Sequence, residues 1–286
     1  MAETGPTPYE REQIARIEAW RQEPPGLIER ATGTALSPVS RLISSVMPPA
    51  AIEALLRASD WMAEHTIRET MPRDRHDVLE PHDAAARAIR QWAMAYACGE
   101  GAVAGAVGLL SLPVDIPAMV TLSLRTIRRI GGAYGYDAAD DRERQFVYAV
   151  LSVATANSPA QKRAALETLQ GIETRMLAHN WAVLAERAAR RGVSAETLLL
   201  VARDLAQQLG VNLTKRKALA ALPVVGAAIG ATVNGWYMRD IGAAAQRAYQ
   251  QRWLQDRGRY PGPSWCDAKQ AADKQEPDRG PDIAKK

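Results

Sequence analysis

Residues Asp83 to Gly99 read DAAARAIRQWAMAYACG, and their apolar members recur at helical spacing. Ile89, Trp92, Ala93, Tyr96 and Ala97 fall at i, i+3, i+4, i+7 and i+8, the stripe that one α-helix turns toward a core. Segment 141–157 repeats the pattern through Phe146, Val147, Val150, Leu151 and Ala154. Ser158-Pro159-Ala160-Gln161 has the form of a capping box with proline at the first helical position, opening a helix through Leu166, Leu169, Met176 and Leu184. Gly192 and Gly210 read as helix stops. No stretch alternates apolar and polar residues between turns, so the sequence predicts an all-α, multi-helix bundle.

Composition agrees with this reading. The chain has 286 residues, enough for a sizeable core. Its apolar share of 47% rests on Ala, Leu, Val and Ile, with seven Trp, eight Tyr and one Phe. Small residues favour closely crossing helices over an aromatic-rich sandwich. The start, MAETGPTPYEREQIARIEAW, lacks an apolar signal region, so the expected location is the cytoplasm or the inner face of the plasma membrane. Cys98 and Cys266 form no framework or metal knuckle. Residues 1–8 and 259–286 read as a flexible start and a disordered tail, 9–80 as an N-terminal helical segment, and 81–258 as the main helical domain.

Two central segments are Gly/Ala-rich and almost uncharged. Gly101 to Leu124 carries only Asp115, and Ala218 to Met238 carries no charge, its sole strongly polar residue being Asn234. Gly101/Gly105 and Gly226/Gly230 are GxxxG pairs that let a second helix approach, or let two chains associate. Both segments contain proline, and three readings compete: buried helices of a soluble bundle, re-entrant or interfacial insertion, and true spans. Arg125, Arg128 and Arg129 follow the first segment, while Lys215, Arg216 and Lys217 precede the second. In an antiparallel hairpin both clusters lie at one end, where they would face anionic lipid headgroups or form a solvated turn. The net charge of residues 125–217 is +6, from 15 basic and 9 acidic side chains.

Candidate site residues are few. Asp115, before Ile116, Pro117 and Ala118, has the form of a helix N-cap; the alternative is a carboxylate in apolar surroundings that pairs with a cation or lines a cavity. In AYGYD, Gly135 suits a left-handed helix end after Tyr134, Asp137 begins the next turn, and Asp140 with Glu143 reads as a capping box. His76-Asp77 and His82-Asp83 invite a hydrolase reading, but their spacing is not that of a helical zinc pair, and Asp83 reads as a cap. No metal site, dinucleotide loop, phosphate loop or nucleophile elbow is expected, and basic residues are not interleaved with aromatics as nucleic-acid binding requires.

Taken together, GAVAGAVGLLSLPVDIP (101–117), IRRIGGAYGYD (127–137) with Arg144, and KALAALPVVGAAIGATVNGWYMRDI (217–241) resemble the bacterial EcsC family over roughly residues 80 to 255. The resemblance implies an α-helical, cytoplasmic or membrane-associated bacterial protein, in a family named for a member encoded beside an ABC exporter and linked to secretion. It marks Tyr134, Gly135 and Asp137 for testing and supplies no activity. The leading expectation is therefore a non-enzymatic protein that docks on the cytoplasmic membrane face, without cofactor, with membrane lipid or a membrane protein complex as partner. The alternatives are a soluble bundle binding an apolar ligand fixed by Asp115 or Asn234, and a hydrolase using Asp115 or His76/His82.

Overall fold

The computed structural model describes residues 5–24, 77–107, 112–136, 141–156, 158–186 and 226–260, and of residues 100–107, 112–117, 141–142, 174–186 and 226–233 the backbone alone. Within them lie six helices and no strand: α1 (Pro8–Gln22), α2 (Leu79–Val107), α3 (Leu112–Ala133), α4 (Asp141–Thr155), α5 (Pro159–Glu186) and α6 (Gly226–Asp256). The expected all-α bundle is what forms.

Its backbone is the antiparallel pair α2 and α6, the most extensive helix contact. Asp77 meets Arg257, Asp83 meets Gln250, Arg90 meets Gln246, and Cys98 lies against Gly235. Small residues set the spacing: Ala86, Ala93 and Ala97 of α2 and Ala244, Ala245 and Ala248 of α6 are buried. A methyl group added at Gly235 would come within 2.5 Å of Cys98 Sγ, and one at Gly242 within 2.7 Å of Arg90 Cγ. This closeness narrows the buried stripe expected of α2. Ala93 and Ala97 are covered, whereas Trp92 and Tyr96 are forced to the flanks and remain 44% and 47% exposed.

Helix α3 is the central element, buried at Met119, Val120, Leu122, Leu124, Ile127 and Ile130. Its hydroxyls fold back on its own backbone: Ser123 donates to the Met119 carbonyl at 2.6 Å and Thr126 to that of Leu122 at 2.7 Å. The apolar run 101–124 is thus not one helix. It comprises the end of α2, which reaches Val107, and the start of α3, which begins at Leu112. Asp115 consequently lies inside the first turn of α3 and not at the cap before it, and Pro117 lies in the second turn. A carboxylate in the first turn still complements the helix dipole.

The five apolar residues expected to face inward on α4 are all buried. Ser158 caps α5 as expected, its Oγ accepting from Gln161 N at 3.2 Å. At the other end of the chain, Thr7 and Pro8 are not a loose start. They open α1 with a full capping box, in which Thr7 Oγ1 accepts from Glu10 N and Glu10 accepts from Thr7 N. Lys162 of α5 clamps the far end of α1, donating to the Trp20 and Glu23 carbonyls at 2.6 and 2.7 Å. The tail after Tyr260, the stops at Gly192 and Gly210, and Asp140 lie outside the described residues.

Candidate functional site

The AYGY corner shows how a short motif organises polar chemistry. Gly135 has φ 86°, the left-handed conformation expected of it, and the turn closes with Tyr136 N donating to the Gly131 carbonyl and Gly135 N to that of Gly132, both at 3.0 Å. The remaining end carbonyl, Ala133, accepts from His82 Nδ1 at 2.6 Å. The corner sends its two tyrosines into separate networks. Tyr134 donates to Asp83 Oδ1 at 2.5 Å, joined there by Gln250 Nε2 at 2.7 Å, while Tyr9 of α1 donates to Asp83 Oδ2 at 2.7 Å. Tyr136 donates to Asp256 at 2.8 Å and lies under the Arg252 guanidinium, 3.9 Å from its ring centre.

Arg252 in turn donates to Glu143 at 2.7 Å, and Tyr249 donates to the same carboxylate at 2.6 Å. Glu143 is thus a buried acceptor, and Asp140, its expected partner in a capping box, lies outside the described residues. Burial first, then the neighbouring carboxylates, holds the Tyr134, Tyr136 and Tyr249 hydroxyls well above the usual tyrosine range. They are donors at all ordinary pH. Asp83, expected to cap a helix, is instead wholly buried one turn into α2, with three donors on its two oxygens. Sequence reading missed this role because its partners come from residues 9, 134 and 250. A carboxylate so engaged ties α1, α6 and the AYGY corner to α2.

His82 is buried and spends Nδ1 on the Ala133 carbonyl; His76 and Asp137 lie outside the described residues. Among the described residues, no group of three His, Cys, Asp or Glu side chains is placed to hold a metal. Asn234 is buried, and its Nδ2 has no hydrogen-bond partner. Asp115, Gly101, Gly105, Gly226 and Gly230 sit in segments described by backbone alone, and Lys215, Arg216 and Lys217 lie outside the described residues.

The surface carries the other concentration of chemistry. Five large apolar side chains are exposed among the described residues, and four of them, Trp92, Met94, Tyr96 and Trp236, fall within one band of the α2/α6 pair, about 7.5 Å deep along the helix axes. The contact of Gly235 with Cys98 fixes one edge of that band, since it places Trp236 beside Ala97 across the pair. Trp92 stacks on Tyr96 at 5.4 Å, and Arg125 and Arg129 of α3 lie over the Trp92 ring at 5.8 and 5.2 Å from its centre. Arg128, expected to join them at a lipid-facing surface, is 1% exposed and points into the bundle. The partly exposed stripe of α3 runs through 118, 121, 125 and 129, and 128 falls on its buried side.

A small-residue helical bundle with a collar of aromatic and arginine side chains defines a class of all-α protein in which no described helix is long and apolar enough to cross a membrane. The model of the EcsC protein family matches residues 11–254, and the chain belongs to that family. The match begins far ahead of residue 80, so α1, which sequence reading left outside the resemblance, is part of the family unit. The chain is 28% identical over 158 residues to the uncharacterized protein YdbA of Bacillus subtilis (strain 168), covering 55% of this chain and 53% of that one. It is 23% identical over 160 residues to Protein EcsC of the same organism, covering 56% and 58%. The alignments thus span little more than half the length of these curated relatives. No solved structure matches the chain.

Proposed function

We propose that this EcsC-family chain is a non-enzymatic protein that docks peripherally on a lipid bilayer through the end of the bundle where α2 ends and α3 and α6 begin. The collar carries the reading. Trp92, Met94 and Tyr96 on α2 and Trp236 on α6 form a band about 7.5 Å deep, which suits the interfacial zone of a bilayer. Beyond Tyr96 and Trp236, the remainder of α2 holds Glu100 as its only charge, the start of α6 holds none, and Leu112 to Leu124 of α3 hold only Asp115. From Tyr96 to the end of α2 at Val107 is a rise of about 16 Å, roughly half the hydrocarbon thickness of a bilayer. Such a depth fits insertion into one leaflet.

Flotation with lipid vesicles tests the reading. The wild-type chain is expected to float with vesicles, and a W92S/Y96S/W236S triple variant to remain behind with an unchanged melting temperature. A wild-type chain that stays wholly in the aqueous fraction overturns it. A second reading, an apolar ligand held inside the bundle, is supported by the unpaired Nδ2 of Asn234. It expects a co-purifying molecule in native mass spectra that Asn234→Leu loses, and repeated preparations free of such a molecule would remove it.

A further inference from the structure

We infer that Arg125 and Arg129, stacked on Trp92, form a receptor for the phosphate of anionic phospholipid headgroups; this rests on the docking reading above. The two guanidinium groups share one indole ring and are one helical turn apart. Among the described residues neither has a carboxylate partner, and the buried Nε of Arg125 has no acceptor. Arg252, Arg257 and Arg259, by contrast, pair with carboxylates: Arg252 with Glu143, Arg257 with Asp77, and Arg259 with Glu10 and Asp77. Arg90 and Arg247 also lack a carboxylate but bond to Gln246, Gln13 and Gln250, whereas the Trp92 pair lies over an exposed ring where an anion can reach it.

Physical chemistry says what completes it. Burial and the adjacent Arg125 both disfavour the charge on Arg129, so an anion bridging the two groups relieves a repulsion already built into the fold. A guanidinium lying over a ring keeps its N–H edges free in its own plane, and those edges match the oxygens of a phosphate. The ring also limits where the arginines point, which lowers the entropy lost on binding. The position selects the source. The site sits in the collar with Tyr96, Met94 and Trp236, the height at which interfacial aromatics meet the headgroup phosphates of a leaflet.

The experiment uses the full chain with three vesicle compositions: phosphatidylcholine alone, phosphatidylcholine with phosphatidylglycerol, and phosphatidylcholine with oleic acid at matched surface charge. The wild type is expected to prefer the phosphatidylglycerol vesicles to both others. R125Q/R129Q is expected to lose about thirtyfold in affinity for them, the effect of two basic residues at an anionic surface, while keeping its residual binding to phosphatidylcholine. R125K/R129K, which keeps the charge without the planar fork, is expected to fall between, and equal melting temperatures exclude misfolding. Equal wild-type affinity for the oleate vesicles would show that charge and not phosphate is read, which overturns the receptor. An R125Q/R129Q variant that binds phosphatidylglycerol vesicles like wild type also overturns it and leaves docking intact. A wild type that binds no vesicle removes both.

Discussion

Asp83 shows the limit of local reading at the residue scale. A window around it sees an acid before an alanine-rich helix and assigns a cap, while its three donors arrive from helices far away in the sequence. Replacing it by alanine leaves Tyr9, Tyr134 and Gln250 without their acceptor, and Asp83→Ala is expected to cost about 3 kcal/mol in urea denaturation. Gly135 was legible because its requirement is local: a left-handed corner between two tyrosines. Neighbouring glycines separate the two cases. A methyl at Gly131 would meet the Tyr249 ring and hydroxyl at 2.7 Å, whereas one at Gly132 has nothing within 4 Å. Gly131→Ala is expected to destabilise by about 2 kcal/mol, and Gly132→Ala to be neutral or to stabilise by about 0.5 kcal/mol, both read from thermal melts.

Glu173 gives this scale its pH dependence. Burial raises its carboxyl from 4.5 to about 7, with Arg21 and Arg252 opposing the rise and Asp256 adding to it; Gln251 donates to one oxygen at 3.0 Å and the other has no partner. The folded chain therefore holds this proton more tightly than the unfolded chain. Stability from this group is greatest below the ordinary carboxylate range and falls as pH rises through about 7. Glu173→Gln is expected to flatten that decline and to be the more stable protein at mildly alkaline pH. Urea titrations across the neutral range would reveal parallel curves if the carboxyl stays charged in the fold.

Element boundaries were legible where a cap announces them and displaced where an apolar run carries few polar marks. Ser158 and Pro159 marked the start of α5 correctly. In the run 101–124 the prolines and Asp115 pointed to a helix start, but the cap reading set it after Asp115, whereas α3 begins at Leu112 and takes Asp115 into its first turn. Helix α1 is the inverse case. Its buried face is Glu10, Gln13 and Ile17, too polar to register as a core stripe, and it docks by hydrogen bonds: Glu10 to Arg259, Gln13 with Arg247 and Gln250, and Tyr9 to Asp83. An element held this way depends on its ends. Thr7→Ala is expected to cost about 1 kcal/mol, and Lys162→Met to raise amide exchange across α1 selectively. Uniform exchange in α2 and α1 together would mean that the two open as one unit.

Across the whole molecule, the bundle class could be read from periodicity and composition, but the collar could not. Trp92 and Tyr96 sit at spacings that a helical wheel assigns to the core, and only the close approach of α6 across alanines and glycines turns them outward. Their exposure is a tertiary fact. The basic cluster divides for the same reason, since Arg128 is drawn into the interior while Arg125 and Arg129 rest on Trp92. If docking uses this collar, added salt should weaken binding to anionic vesicles and leave binding to neutral ones nearly unchanged. An equal loss on both surfaces would place the salt effect elsewhere in the chain.

The α2/α6 pair also dictates an order of events during synthesis. Helix α2 is complete at Val107, yet the partner that covers Ala86, Ala93 and Ala97 begins only at Gly226. While the ribosome adds the stretch between them, the alanine groove of α2 waits open, and its long-range closure comes late and slowly. A nascent chain halted before Gly226 should therefore remain protease-sensitive and chaperone-bound, and release of α6 from the exit tunnel should be the moment at which the bundle becomes resistant.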